Sequence, residues 1–193
     1  MNKSGDFLAM LFRMKNIERW GLMYNIRNES LSDHSLECAI LAYSLAVIGN
    51  VYFKKEYNPD KIASSAMLHD MSEILTGDLP TPVKYYNDEI KSAYKKVEEI
   101  SCNKMLSLLD SELYSYYERL INVNDDEKKI IKAADKLCAY IKCQKELALN
   151  NSEFAAAEKY IKKAIDTMQC EELKYFVDNY LDSFMKNLDD TAL

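Results

Sequence analysis

Ile62-Ala63-Ser64-Ser65-Ala66-Met67-Leu68-His69-Asp70-Met71-Ser72-Glu73 leads on into Thr76-Gly77-Asp78-Leu79-Pro80-Thr81-Pro82, and the reading of this stretch decides the rest. It opens as an apolar, helix-forming run. It then sets a histidine, an aspartate and a glutamate within five residues. Such groups on an apolar helix face either pair with one another or bind something positive. On a helix, the adjacent His69 and Asp70 point about 100° apart. Glu73 then lies beside both, at i+4 and i+3. A divalent cation held between them is the sharper reading. A core histidine hydrogen-bonded to a neighbouring acid is the plainer one.

Working outward, Asn58-Pro59-Asp60 is a strong helix start: a capping side chain, a proline at the first turn, then an acid favoured by the dipole. The pattern predicts a third helix over 58–75 and a stiff, proline-bearing loop over 76–87. Upstream, 6–14 reads as a first helix and 15–28 as irregular, with Gly21 as a turn. Ser30-Leu31-Ser32-Asp33 opens a second helix to about Ile48, stopped by Gly49-Asn50, with Leu36, Ala39, Ile40, Tyr43 and Val47 as its apolar face. Downstream, helices are predicted over 88–109 (Ile90, Tyr94, Val97, Ile100, Met105 and Leu108 inward), 112–121, 124–149, 153–167 and 171–188. No period-2 strand, repeat or linker interrupts the pattern. The fold class is all-α, a single compact multi-helix domain spanning 1–193.

The bulk numbers set limits. The chain has 193 residues and 48% apolar side chains, enough for one sizeable core. Its formal net charge is -6 with no basic run, which argues against a nucleic-acid polymer or an acidic membrane as partner. An anionic substrate therefore needs local positive charge. No apolar run approaches the roughly 20 residues that span a bilayer. Five scattered cysteines without a Cys-x-x-Cys, and no signal-peptide pattern, point to a reduced, cytoplasmic protein.

Only two histidines are present, His34 and His69. His34 falls in the first turn of the second helix, where an exposed helix-start role is the plain alternative. In the sixth helix Ile131, Ala134, Cys138 and Ile141 form an apolar stripe bordered by Asp135, which wants a cation or several donors. A salt bridge to a lysine satisfies it equally well. As a fourth ligand, Asp135 completes a set of His34, His69, Asp70 and Asp135. Two imidazoles and two carboxylates suit Mn²⁺, Co²⁺, Fe²⁺, Ni²⁺ or Zn²⁺. Such an ion polarises a phosphoryl oxygen and acidifies water, and Glu73 is the neighbouring proton-transfer group. Arg19 is suited to gripping a phosphate, and Trp20 to walling a sugar or base.

This His…His-Asp…Asp arrangement resembles the HD-domain metal-dependent phosphohydrolases. It is most similar to the bacterial 5'-deoxynucleotidases, which hydrolyse deoxyribonucleoside 5'-monophosphates (dNMPs). Ile17-Glu18-Arg19-Trp20, Ser32-Asp33-His34-Ser35-Leu36, the run from His69 through Tyr85, and Ala134-Asp135-Lys136-Leu137-Cys138-Ala139-Tyr140 carry the resemblance. It implies His34, His69, Asp70 and Asp135 as ligands of one divalent ion, Co²⁺, Mn²⁺ or a similar metal. It implies Arg19 orienting the phosphate, Trp20 contacting substrate and Glu73 as the catalytic carboxylate, with Asp78 sharing the proton work. Asp78, Leu79, Pro80 and Thr81 would line the deoxyribose, and His69 and Asp135 would also touch substrate. It further implies a cytoplasmic homodimer. The alternatives are another HD-domain nucleotide phosphohydrolase, or a non-catalytic metal- or nucleotide-binding helical protein.

Overall fold

The computed structural model describes residues 3–84 and 86–191, with the backbone alone at Lys3. Tyr85, which closes the longest motif segment, lies outside the described residues. Ten α-helices are described: α1 Lys3–Leu11, α2 Leu31–Phe53, α3 Pro59–Met67, α4 Glu73–Thr76, α5 Thr81–Lys84, α6 Asp88–Leu106, α7 Ser111–Ile121, α8 Asp125–Ala148, α9 Ala155–Thr167 and α10 Glu171–Asn179. Among the described residues the nearest approach to a strand is one isolated antiparallel bridge, Glu18 to Ser30.

The axis of the fold is α2. It packs most extensively on α3 and α8, and α10 leans on its C-terminal half. A capping box starts it: the Ser30 hydroxyl accepts from Asp33 N (3.2 Å) and Asp33 Oδ2 accepts from Ser30 N (3.0 Å). Its buried face is Leu31, His34, Ser35, Cys38, Leu41, Ala42, Leu45 and Ala46. Of the face expected from the sequence, Ala39 packs against the core and Val47 is half-buried, but the rest points away. Leu36, Ile40 and Tyr43 are exposed at 61%, 57% and 44%. The helix is apolar on both stripes, and only its neighbours choose between them.

Neither does α2 stop at Gly49-Asn50. Gly49 is helical, and its missing Cβ admits the Tyr57 ring: a Cβ there would sit 2.6 Å from Tyr57 Cε2. Asn50 exchanges two hydrogen bonds with the backbone of Tyr57 (2.8 and 3.0 Å). The helix ends instead at Lys54, in the left-handed region (φ 55°). By length and composition Leu31–Phe53 is apolar enough to cross a bilayer, contrary to the expectation that no such run exists. Here it is the central helix, with α3, α8 and α10 packed on it.

Other boundaries shift too. The stripe Ile131, Ala134, Cys138 and Ile141 of α8 is buried as expected. On α6, Met105 is buried but Ile90, Val97 and Ile100 are exposed. The 76–87 segment is not all loop, since α5 forms within it. The last helix ends at Asn179, and 3-10 turns cover Leu181–Met185 and Leu188–Asp190. Glu146 on α8 is buried and accepts from Ile26 N (3.0 Å), Arg27 N (3.1 Å) and Lys142 (2.5 Å), which pins the irregular 22–29 segment to the core.

Candidate functional site

The expected third helix breaks where its chemistry begins. After Met67 the chain makes a series of turns before α4 starts at Glu73. The Ala66 carbonyl, which Asp70 N would occupy in a continuing helix, is taken by His69 N (3.4 Å) and lies 2.6 Å from His69 Nδ1. His69 and Asp70 are therefore turn residues, aimed by local hydrogen bonding and not by helical spacing.

These turns bring Asp70 under α2. Asp70 Oδ2 lies 3.1 Å from His69 Nε2, 3.7 Å from His34 Nε2 and 3.4 Å from Arg19 Nη1. Asp135 Oδ1, from α8, lies 3.3 Å from the same His34 nitrogen. Its other oxygen meets Lys136 at 3.4 Å, so the lysine pairing exists beside the histidine contact. The structure thus brings together His34, His69, Asp70, Asp135 and Arg19 from separate segments. His69 holds Asp70 at a pKa of about 2 against the upward push of burial.

The donor set fits a cation. His34 Nε2 and His69 Nε2 are buried without an aligned hydrogen-bond partner, a state that costs free energy unless something accepts their lone pairs. Two carboxylate oxygens stand 3.1–3.7 Å from them, a spacing that a single ion bonded at about 2.0–2.2 Å can span. His34, Cys38 and His69 also offer three atoms within 4.8 Å of one another. Cys38 lies one turn after His34, and nothing in the sequence sets it apart from the other scattered cysteines. Its hydrogen bond with Cys138, then burial, hold its thiol well above the usual range.

Glu73 opens α4, and one of its oxygens is buried and unpartnered. Burial, then the charges of Asp70 and Asp78, push its carboxyl up to about 8. Asp78, Leu79 and Pro80 are half-buried, and Thr81 is exposed at the start of α5. Trp20 sits at φ 59°, an uncommon conformation for a bulky residue. Its indole N–H donates to Glu29 Oε2 at 3.1 Å. Beside His69 a cavity of about 490 Å³ is walled by Lys84, Lys91, Lys95, Lys128 and Lys132, with Glu98 as its acid. Lys84 is paired with Glu98 at 2.6 Å, and five lysines against that one acid leave the wall positive in an otherwise acidic chain.

A family model described as 5'-deoxynucleotidase YfbR-like matches residues 6–184. The chain belongs to this YfbR-like family. A 5'-deoxynucleotidase of Erwinia tasmaniensis is 46% identical over 189 residues, covering 96% of each chain. The 5'-deoxynucleotidase YfbR of Escherichia coli O1:K1 is 43% identical over 193 residues, covering 98% of this chain and 97% of its own. An HD-domain phosphohydrolase from Listeria innocua superposes with a TM-score of 0.82 at 22% identity, over 95% of this chain and 90% of that one. The cyanophage S-2L HD phosphohydrolase, bound to dA and one catalytic Zn²⁺ ion, gives 0.63 at 16% identity, over 91% and 96%. These likenesses establish the HD fold. As a member of the YfbR-like family the chain is an enzyme, a nucleotide phosphohydrolase.

Proposed function

We propose that this protein is a divalent-cation-dependent 5'-deoxynucleotidase that converts dNMPs to deoxyribonucleosides and phosphate, with 1–193 acting as one catalytic unit. The observation that carries the reading is the convergence of His34, Asp70 and Asp135 within 3.3–3.7 Å, with His69 and Arg19 on the same carboxylate. His34, His69, Asp70 and Asp135 would hold the cation. When bound it would polarise a phosphoryl oxygen and make a water more acidic.

The chain's own residues supply the rest. Arg19, already aimed at Asp70, offsets charge on the remaining phosphate oxygens. Glu73 and Asp78 divide the proton transfers: one hands a proton to the leaving 5'-oxygen and the other takes one from the attacking water. Trp20, Leu79, Pro80 and Thr81 form the deoxyribose wall, where an added 2'-hydroxyl would find no partner. His69 and Asp135 border the bound phosphate. The described cysteines are all free, in keeping with a cytoplasmic enzyme. A second copy of the chain would cover the exposed Leu36-Ile40-Tyr43 stripe of α2, giving a homodimer.

A second reading, hydrolysis of nucleoside di- or triphosphates, draws on the lysine-walled cavity beside His69. One experiment separates the two: phosphate release from dNMPs, NMPs, dNDPs and dNTPs, each with Mn²⁺, Co²⁺ or Zn²⁺ and after chelation. Release from dNMPs alone, abolished by chelator and restored by a metal, is expected. Equal turnover of NMPs, or release unaffected by chelation, would overturn the proposal.

A further inference from the structure

Glu29 is neither a proposed cation ligand nor a proposed substrate contact. It directly precedes the cap of α2 and is buried. Its two oxygens face three nitrogens, two of them in aligned hydrogen bonds. Oε1 accepts from Arg19 Nε at 3.1 Å and stands 3.3 Å from His34 Nδ1, which is buried and has no aligned partner. Oε2 accepts from Trp20 Nε1 at 3.1 Å. The backbone locks the same pairing, since Arg19 N donates to Glu29 O (2.9 Å) and Leu31 N to Ile17 O (2.8 Å). The left-handed turn at Trp20 lets adjacent side chains, Arg19 and Trp20, both reach one carboxylate. Such a conformation persists only where its surroundings fix it.

We propose that Glu29 is a positioning residue that couples the phosphate arm, Arg19 and Trp20, to the cation ligand His34. This deepens the cation-site reading and rests on it. With Glu29 facing Nδ1, the imidazole carries its proton there and turns the Nε2 lone pair towards Asp70 and Asp135. With Glu29 on Nε of Arg19, the guanidinium presents Nη1 to the same centre. Arg19 already has Asp70 as a counter-charge, so neutralising it does not require a second buried acid. A carboxylate behind a metal-binding histidine fixes both tautomer and ring angle, and losing one typically weakens metal binding about 10–100-fold.

The test exploits two scarcities, one tryptophan and two histidines. Zn²⁺ alone is titrated into wild-type protein and Glu29→Gln, followed by calorimetry and by Trp20 emission. In Glu29→Gln, Zn²⁺ binding should weaken by about 10–100-fold, Trp20 emission should shift before any metal is added, and KM for dAMP should rise more than kcat falls. Zn²⁺ affinity within twofold of wild type, or an unchanged emission spectrum, would overturn the proposal. Should Glu29→Gln fail to fold, nitrogen-15 NMR of the histidines in Zn²⁺-loaded wild type decides. A proton on Nδ1 of His34 supports the link, and one on Nε2 refutes it. A wild type that shows the Glu29-dependent Zn²⁺ affinity yet releases no phosphate from any dNMP would sink the deoxynucleotidase reading and leave the Glu29 link standing.

Discussion

Burial, Asp70 and Asp78 raise the Glu73 carboxyl to about 8 from an ordinary 4.5. A folded-state pKa above the unfolded value means that the folded state binds the extra proton. Stability is then full below about 4.5 and is lost as pH rises through about 8. Glu73→Gln cannot titrate, so in chelator-treated protein its Tm should exceed wild type at pH 9, the gap closing by pH 5. The same variant should still bind a cation and dNMP but lose at least about 10²-fold in kcat, the scale of a general acid–base group. A loss under tenfold would remove Glu73 from the chemistry. Its closeness to His69 and Asp70 in sequence marked it as a candidate, although the helical spacing assumed for the three does not hold, because 68–72 are turns. Glu29 was not marked, because no spacing rule singles out an acid before a helix cap, and the three nitrogens it faces become neighbours only after folding.

At the scale of elements, close approach outweighs local propensity. Gly49-Asn50 carries the usual marks of a helix end, yet α2 runs through it. The missing Cβ admits the Tyr57 ring, which also reaches Glu172 through its hydroxyl at 3.1 Å. Gly49→Ala would place a methyl group 2.6 Å from that ring. Although alanine favours helix, the variant should be destabilised by about 1–3 kcal/mol, the cost of overpacking. Gly5→Ala, whose Cβ meets nothing within 4 Å, should stay within about 0.5 kcal/mol of wild type. Urea unfolding of both checks this, and a stabilised Gly49→Ala would mean that Tyr57 moves aside freely. The break after Met67 obeys the same logic in reverse. No glycine or proline stands there, but His69 captures the Ala66 carbonyl and the helix gives way to the turns that aim the site.

For the molecule as a whole, the second apolar stripe of α2 bears on assembly. Leu36, Ile40 and Tyr43 recur at helical spacing on the side away from the core. Light scattering should find the wild type dimeric at micromolar concentration and Ile40→Glu monomeric with an unchanged Tm for the isolated chain. A monomeric wild type would remove the dimer. The sequence alone determined that the chain is all-α apart from an irregular stretch between the first two helices, and where most helices start, and it offered His34, His69, Asp70 and Asp135 as one candidate set. Those features depend on capping chemistry, periodicity and the scarcity of polar groups on apolar faces. Only the tertiary structure decided which face of α2 is buried, where the third helix gives way, and that Glu29 and Cys38 stand beside His34. The buried face of α2 depends on segments far apart in the chain, and local pattern carries no information about which of two apolar faces a neighbour will cover; the other features involve residues close in sequence, but their spacing does not single them out.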